Sequence, residues 1–183
     1  MLGPYLIAVH CIALAACHGR PAVLSAYGSG RAVTPNADGS PRLRDRLHDG
    51  VDLESSVGDT VLAAGPGRIV SVDYDSDSGF DVIIAHDGFP LARESMGAMF
   101  HTSYVHLRSA AVLVGERVQR GQKIGEVGIF WASGGVAHLH WRACRGMCNA
   151  DTTLDPLSRT IGCFSGTHVY PADRLLLTYP LEC

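Results

Sequence analysis

Apolar residues along the chain fall into short runs rather than long amphipathic stripes. Val61–Ala64, Arg68–Tyr74, Phe80–His86, His101–Leu107, Lys123–Val127 and Ala137–Arg142 are brief and rich in Val, Ile, Tyr and Leu. Turn signals separate them: Gly65-Pro66-Gly67, Asp75-Ser76-Asp77-Ser78-Gly79, Asp87-Gly88-Phe89-Pro90 and Gly134-Gly135. Glycine and proline clusters of this kind punctuate β structure. Outside the first residues, no stretch of about 12 or more carries the period of an amphipathic helix. Regularly spaced strands with Gly-rich turns predict an all-β, mainly antiparallel fold, a two-sheet sandwich or partly open barrel.

The first residues read differently. Tyr5 to Ala16 is a mostly apolar run, short of the roughly 20 residues needed to span a bilayer and suited to the apolar region of an export signal. It ends in Leu14-Ala15-Ala16-Cys17, which resembles the lipobox of bacterial lipoproteins, where the cysteine is acylated and becomes the new N-terminus. The residues before it, Met-Leu-Gly-Pro-Tyr, lack the Lys or Arg usual in such leaders. The expected organisation is a lipoprotein-type signal over 1–16, a linker over 17–24, one domain over 25–160 and a C-terminal extension over 161–183. That places the protein in the bacterial envelope, in the periplasm, anchored to the membrane only through a lipidated Cys17.

Composition agrees with one folded domain. Of 183 residues 46% are hydrophobic and 18% charged, enough apolar mass for a core and too little charge for a disordered chain. With 15 Lys+Arg against 18 Asp+Glu the net charge is −3, which argues against a nucleic-acid partner held by phosphate contacts. Once Cys11 leaves with the signal and Cys17 carries lipid, Cys144, Cys148, Cys163 and Cys183 remain. An even set in an oxidising compartment reads as two disulfides with three open connectivities. One of them closes a short Cys144–Cys148 loop and pins the C-terminus through Cys163–Cys183. A four-cysteine zinc site is the weaker reading, because Cys144-x3-Cys148 is looser than the usual spacing.

The chemistry sits in the histidines. Of nine, four fall in three short segments: His48 in Leu-His-Asp-Gly-Val-Asp, His106 in Tyr-Val-His-Leu, and His138 with His140 in His-Leu-His-Trp. Strand side chains alternate faces, so His138 and His140 point the same way and Leu139 the other. Asp52 lies four residues after His48, about 13 Å away in an extended chain, so the segment must bend, and Gly50 permits it. His-x3-Asp with His-x-His offers up to three imidazoles and one carboxylate. Three protein ligands with a fourth position open to water is the arrangement of catalytic zinc.

The surroundings of these residues resemble the lysostaphin/LytM-type zinc metallopeptidases, which cut peptide bonds in bacterial cell-wall peptidoglycan. The resemblance runs from about Ser25 to Leu157. It includes Ala26-Tyr27-Gly28, His48-Asp49-Gly50-Val51-Asp52-Leu53, Gly58-Asp59-Thr60-Val61 and Tyr104-Val105-His106-Leu107. Gly115-Glu116-Arg117-Val118-Gln119-Arg120-Gly121, His138-Leu139-His140-Trp141 and Asp155-Pro156-Leu157 continue it in the family's order. The resemblance implies zinc ligands at His48, Asp52 and His140, and non-ligand active-site histidines at His106 and His138. One of that pair takes a proton from the attacking water and the other hydrogen-bonds the oxyanion, with the assignment between them left open. It also implies a zinc endopeptidase of peptidoglycan cross-links or stem peptides. The alternative is a non-catalytic peptidoglycan-binding or amidase-activating module that keeps the fold and a zinc site.

Other signals weigh less. Gly128-Ile129-Phe130-Trp131 departs from the family pattern ahead of the His-x-His strand and is expected at the groove's border, as is the long Asp87–His101 connection. Asp73-x-Asp75-x-Asp77 starts like a calcium loop, but Ser78 stands where the turn glycine is needed and Ile84 where the glutamate belongs. A solvated hairpin is the reading. His86 is expected to be a packed structural residue, and His18, His101 and His168 to lie on the surface. No Gly-x-Ser-x-Gly or His-Glu-x-x-His motif occurs.

Overall fold

The structure is a computed structural model, and it describes residues 20–30, 32–33, 42–43, 47–87, 99–165, 168–170 and 177–183. The expected leader, Cys17 and His18 lie outside these residues, as does most of the Asp87–His101 connection. The strands are β1 (Val23–Ser25), β2 (Ala32–Val33), β3 (Arg42–Leu43), β4 (Val51–Glu54), β5 (Thr60–Leu62), β6 (Gly67–Asp75) and β7 (Gly79–His86). They continue with β8 (Phe100–Ala110), β9 (Arg117–Val118), β10 (Lys123–Val127), β11 (His138–Arg145), β12 (Thr153–Leu154), β13 (Cys163–Ser165) and β14 (His168–Tyr170). The helical element among the described residues is one 3-10 turn, Pro156–Arg159. No helix of the described residues is long and apolar enough to cross a membrane.

The all-β antiparallel expectation holds, and the main strands form one sheet that forks. Its path is β1-β4-β11-β8-β7-β6-β9, with β10 pairing both β8 and β5. The long strand β8 makes the fork. β7 runs along one edge of it, from His86↔Phe100 to Phe80↔Leu107. The other edge is shared: β11 pairs with Phe100 to Val105, and β10 pairs with Leu107 to Ala110. His106 stands between the two partners. Its φ is 67°, and it is the non-glycine residue with positive φ among those described. An L-residue in that region is uncommon and mildly strained.

Side-chain alternation decides the two faces of the central strands. Leu139 and Trp141 of β11 are fully buried, in a core with Leu53, Ile69, Ile84, Tyr104, Leu107 and Ile124. Leu177, Tyr179 and Leu181 from the chain's end belong to the same core, tied by Leu62 N–H to Pro180 O (2.8 Å) and Thr178 N–H to Ala64 O (2.9 Å). The disulfides are Cys144–Cys148 and Cys163–Cys183, so the cysteines form the short loop and the C-terminal pin rather than a zinc site.

Two local readings of the sequence meet different outcomes. Asp75 takes the N–H groups of Asp77 and Ser78 at 2.9 Å each, capping the β6–β7 hairpin as a turn residue does. His101 is not on the surface. It is buried between Ala85 of β7 and Cys144 of β11, with Nδ1 donating to Met99 O at 3.1 Å. A histidine next to a loop looks exposed in sequence, but β8 already has neighbours on both edges there. The side chain of His168 is not described.

His86 is the packed residue expected. Its Nδ1 donates to Pro66 O at 2.8 Å, and its Nε2 lies 2.8 Å from Thr102 Oγ1, which is 3.0 Å from the Tyr104 hydroxyl. Burial pulls this imidazole down to about 4. The unfolded chain therefore takes up the proton first, and stability should fall as pH drops from about 6.5 toward about 4, by roughly 3 kcal/mol from this group. Urea unfolding across that range should show the decline in the wild type and its attenuation in His86→Gln. An equal decline in both would remove His86 as its source.

Candidate metal centre

Strand register assembles the site. His140 of β11 lies directly opposite Asp52 of β4 on one side and Val105 of β8 on the other. Directly opposed residues share a face, so Asp52, His140 and His138 project together, away from Trp141 and the core. His48 precedes β4 and folds back toward Asp52. Gly50 allows the close packing: a Cβ there would lie 2.6 Å from Trp141 O and 2.9 Å from His140 Cε1. His106 would face the core by simple alternation from Val105. Its left-handed backbone turns the ring to the site instead, with ring centroids 5.0 Å from His138 and 6.0 Å from His140.

Three donor atoms form a small triangle. His48 Nε2 to His140 Nδ1 is 3.0 Å, His48 Nε2 to Asp52 Oδ1 is 3.1 Å, and His140 Nδ1 to Asp52 Oδ1 is 2.9 Å. With metal–ligand bonds of about 2.1 Å, donors at tetrahedral angles stand roughly 3.4 Å apart. The triangle needs only a few tenths of an ångström of opening to hold one ion, and its two imidazoles and one carboxylate suit zinc. Among the described residues these three are the group that could hold a metal. His138 Nε2 stands outside it, 3.5 Å from Asp52 Oδ1.

The outer ring nitrogens are anchored. His48 Nδ1 reaches Ala26 O at 3.0 Å and Ser25 Oγ at 3.1 Å, the latter in the last residue of β1 and the former just after it. His106 Nδ1 reaches Ser78 O at 3.0 Å, and His138 Nδ1 reaches Val136 O at 3.1 Å. A carbonyl oxygen only accepts, so each of these Nδ1 atoms carries a proton, and the neutral ring offers an Nε2 lone pair inward. His140 is turned the other way, with Nδ1 inward and Nε2 3.2 Å from Asp49 Oδ1.

Charge follows from these contacts. Burial works to raise the Asp52 carboxyl, but the imidazoles of His140 and His48 beside it outweigh burial and hold the group well below the usual carboxylate range. The hydrogen bond from His140 likewise holds Asp49 down. Burial pulls the His106 imidazole down to about 4, so it is neutral at neutral pH. A cleft of about 420 Å³ opens beside His106 and His140, walled by Asp49, Tyr74, Asp75 and Ala132. Of the cleft's lining, Ala132 follows directly on the departing segment, and none of Gly128 to Trp131 is part of it. Ala132 N–H donates to Asp77 O at 2.9 Å, Phe130 packs on Gly79, and Trp131 is 77% exposed.

A sequence profile of peptidase family M23 matches residues 46–156. The chain belongs to peptidase family M23. Among curated proteins it is similar to the peptidoglycan DD-endopeptidase ShyC of Vibrio cholerae, 34% identical over 98 residues, which are 52% of this chain and 20% of that protein. The glycyl-glycine endopeptidase ALE-1 of Staphylococcus capitis is 31% identical over 112 residues, 60% of this chain and 28% of that protein. The chain thus aligns with under a third of either relative's length. The catalytic domain of lysostaphin from Staphylococcus simulans shares the fold at TM-score 0.58 and 24% identity, covering 75% of this chain and 90% of that domain. LytU does so at TM-score 0.56 and 20% identity, over 87% and 93%.

All five residues singled out in the sequence meet at this site. Missed were the acceptors behind them: Ser25 and Ala26, Ser78 O and Val136 O, and the Asp49–Arg142 pair. Backbone carbonyls carry no sequence signal. The two charged residues beside ligand motifs carried one, a charge on a face that otherwise reads as buried strand. Gly50→Ala should push β4 off β11 and cost about 1–3 kcal/mol, the range for overpacking a tight contact. Urea denaturation checks it, and wild-type stability in the variant would mean the strands have more room than the geometry gives.

Proposed function

We propose that this chain is a zinc endopeptidase that hydrolyses peptide bonds in the cross-links or stem peptides of bacterial peptidoglycan. The observation that carries the reading is the convergence of His48 Nε2, Asp52 Oδ1 and His140 Nδ1, with His106 and His138 beside them. Membership of a peptidase family supports it, as do relatives named for cutting peptidoglycan and glycyl-glycine bonds. His48, Asp52 and His140 hold the zinc, which supplies a water acidic enough to be a nucleophile near neutral pH and polarises the scissile carbonyl.

The protein's own groups do the rest. His106 and His138 are fixed by their Nδ1–H bonds to Ser78 O and Val136 O, so each Nε2 meets the substrate as a proton acceptor. One takes the proton of the attacking water and passes it to the leaving amine. The other takes a proton from solvent at its Nε2 and donates it in a hydrogen bond to the oxygen on which negative charge develops. Burial keeps His106 unprotonated at neutral pH, as a base must be. The cleft is lined by His106 and His140, which gives an extended peptide access to the His106 ring beside the donor triangle. Two disulfides support an exported protein, and Cys17 as a lipid anchor completes the proposed place in the envelope.

Elemental analysis of unchelated protein should find one zinc per chain, and Asp52→Ala should lose metal and activity together. An active, zinc-loaded Asp52→Ala variant would overturn the ligand set. His106→Ala should stay folded and metal-loaded while release of peptides from purified peptidoglycan, followed by mass spectrometry, slows roughly 10²- to 10⁴-fold. A wild type that holds zinc but releases nothing from purified peptidoglycan would favour the binding or activating module.

A further inference from the structure

The donor triangle uses only Nδ1 of His140, and the other nitrogen of that ring has its own partner. Nε2 lies 3.2 Å from Asp49 Oδ1. Asp49 is itself braced: Arg142 Nη1 is 3.5 Å from Asp49 Oδ2, while Nη2 of the same guanidinium binds Asp81 Oδ2 at 2.6 Å and Ser103 Oγ at 2.9 Å. Arg142 sits two residues after His140 on the same face of β11, and Gly50 holds the Asp49 segment tightly against that strand.

An imidazole that binds an ion carries one N–H, and two carboxylates flank the ring of His140. Asp52 Oδ1, 2.9 Å from Nδ1, would draw the proton inward and remove the lone pair an ion needs. Asp49, at Nε2, draws it outward and leaves Nδ1 free. His48 has no such contest, since its outer nitrogen faces only the neutral Ala26 carbonyl and the Ser25 hydroxyl. A charged acceptor is thus placed on the ring whose tautomer is contested. Carboxylates in this position fix a ligand histidine's orientation and raise its basicity.

We propose that Asp49, braced by Arg142, is a positioning residue that fixes the tautomer and ring angle of His140 and thereby sets how tightly the site holds zinc. This rests on His48, Asp52 and His140 being the metal ligands. Zinc affinity of the full chain, measured by competition with a chromogenic chelator, should fall roughly 10- to 100-fold in Asp49→Ala. Asp49→Asn keeps an acceptor oxygen without the charge and should fall between that variant and the wild type. Long-range ¹H–¹⁵N spectra of the zinc-loaded protein give a second readout. The His140 Nε2 proton should be protected from exchange in the wild type and exchange rapidly in Asp49→Ala.

Wild-type zinc affinity in Asp49→Ala, on a wild type that does bind zinc, would overturn this inference alone. An unchanged Nε2–H signal in that variant would do the same. A wild type that takes up no zinc would overturn the metal reading, and this inference with it. Should Asp49→Ala fail to fold, Asp49→Asn decides: reduced affinity supports the role, and unchanged affinity with an unchanged Nε2–H signal removes it.

Discussion

A buried carboxylate without partners is among the costliest things a protein can hold. Asp52 is fully buried, and its Oδ1 stands within 3.5 Å of ring nitrogens from His48, His138 and His140. The rest of the site is arranged around that demand. Pairing of β4 with β11 in one register alone puts Asp52 opposite His140. A slip by one residue would turn Leu139 into the site and both histidines into the core. The apolar partners Leu53, Leu139 and Trp141 enforce the register from the other face, so the core keeps the carboxylate among the three imidazoles.

The fork in β8 serves the same end by different means. A continuous strand partner along that edge would leave no break in the sheet beside the imidazoles. Handing the edge from β11 to β10 at His106 makes this break, and the left-handed backbone at that residue brings the ring round to line it. The strain of one such residue is of order 1–2 kcal/mol, and the neighbouring ladders hold it: Gly128 N–H donates to His106 O at 2.8 Å. Strain stored beside a cluster of titratable groups is where function is commonly found.

Much of this was legible in the chain. The six apolar runs became β5, β6, β7, β8, β10 and β11 with their ends shifted by a few residues, because alternation over five or more residues is a strong signal. β1 and β4 were not legible as strands. One spans three residues in a polar stretch, and the other spends Asp52 and Glu54 on its four positions. The five site residues stood out through motif and spacing, whereas their anchors could not: Ala26 O, Ser78 O and Val136 O are backbone atoms that every sequence possesses. The reading of His101 failed because burial there depends on strands distant in sequence. The pairing of the cysteines needed the fold, which brings the chain's end beside β13 through Phe164↔Glu182.

β1 is an edge strand three residues long, paired to β4 and mostly exposed on its own side chains. Short edge strands open first in local unfolding, well before a core comes apart. Yet this one carries the Ser25 hydroxyl and leads directly into the Ala26 carbonyl, which together hold the outer nitrogen of His48. Ring orientation at the centre therefore inherits the fraying equilibrium of the periphery. Whatever pulls on or steadies the segment leading into Val23, a tether or a bound surface among them, reaches His48 through two hydrogen bonds, with the core left undisturbed.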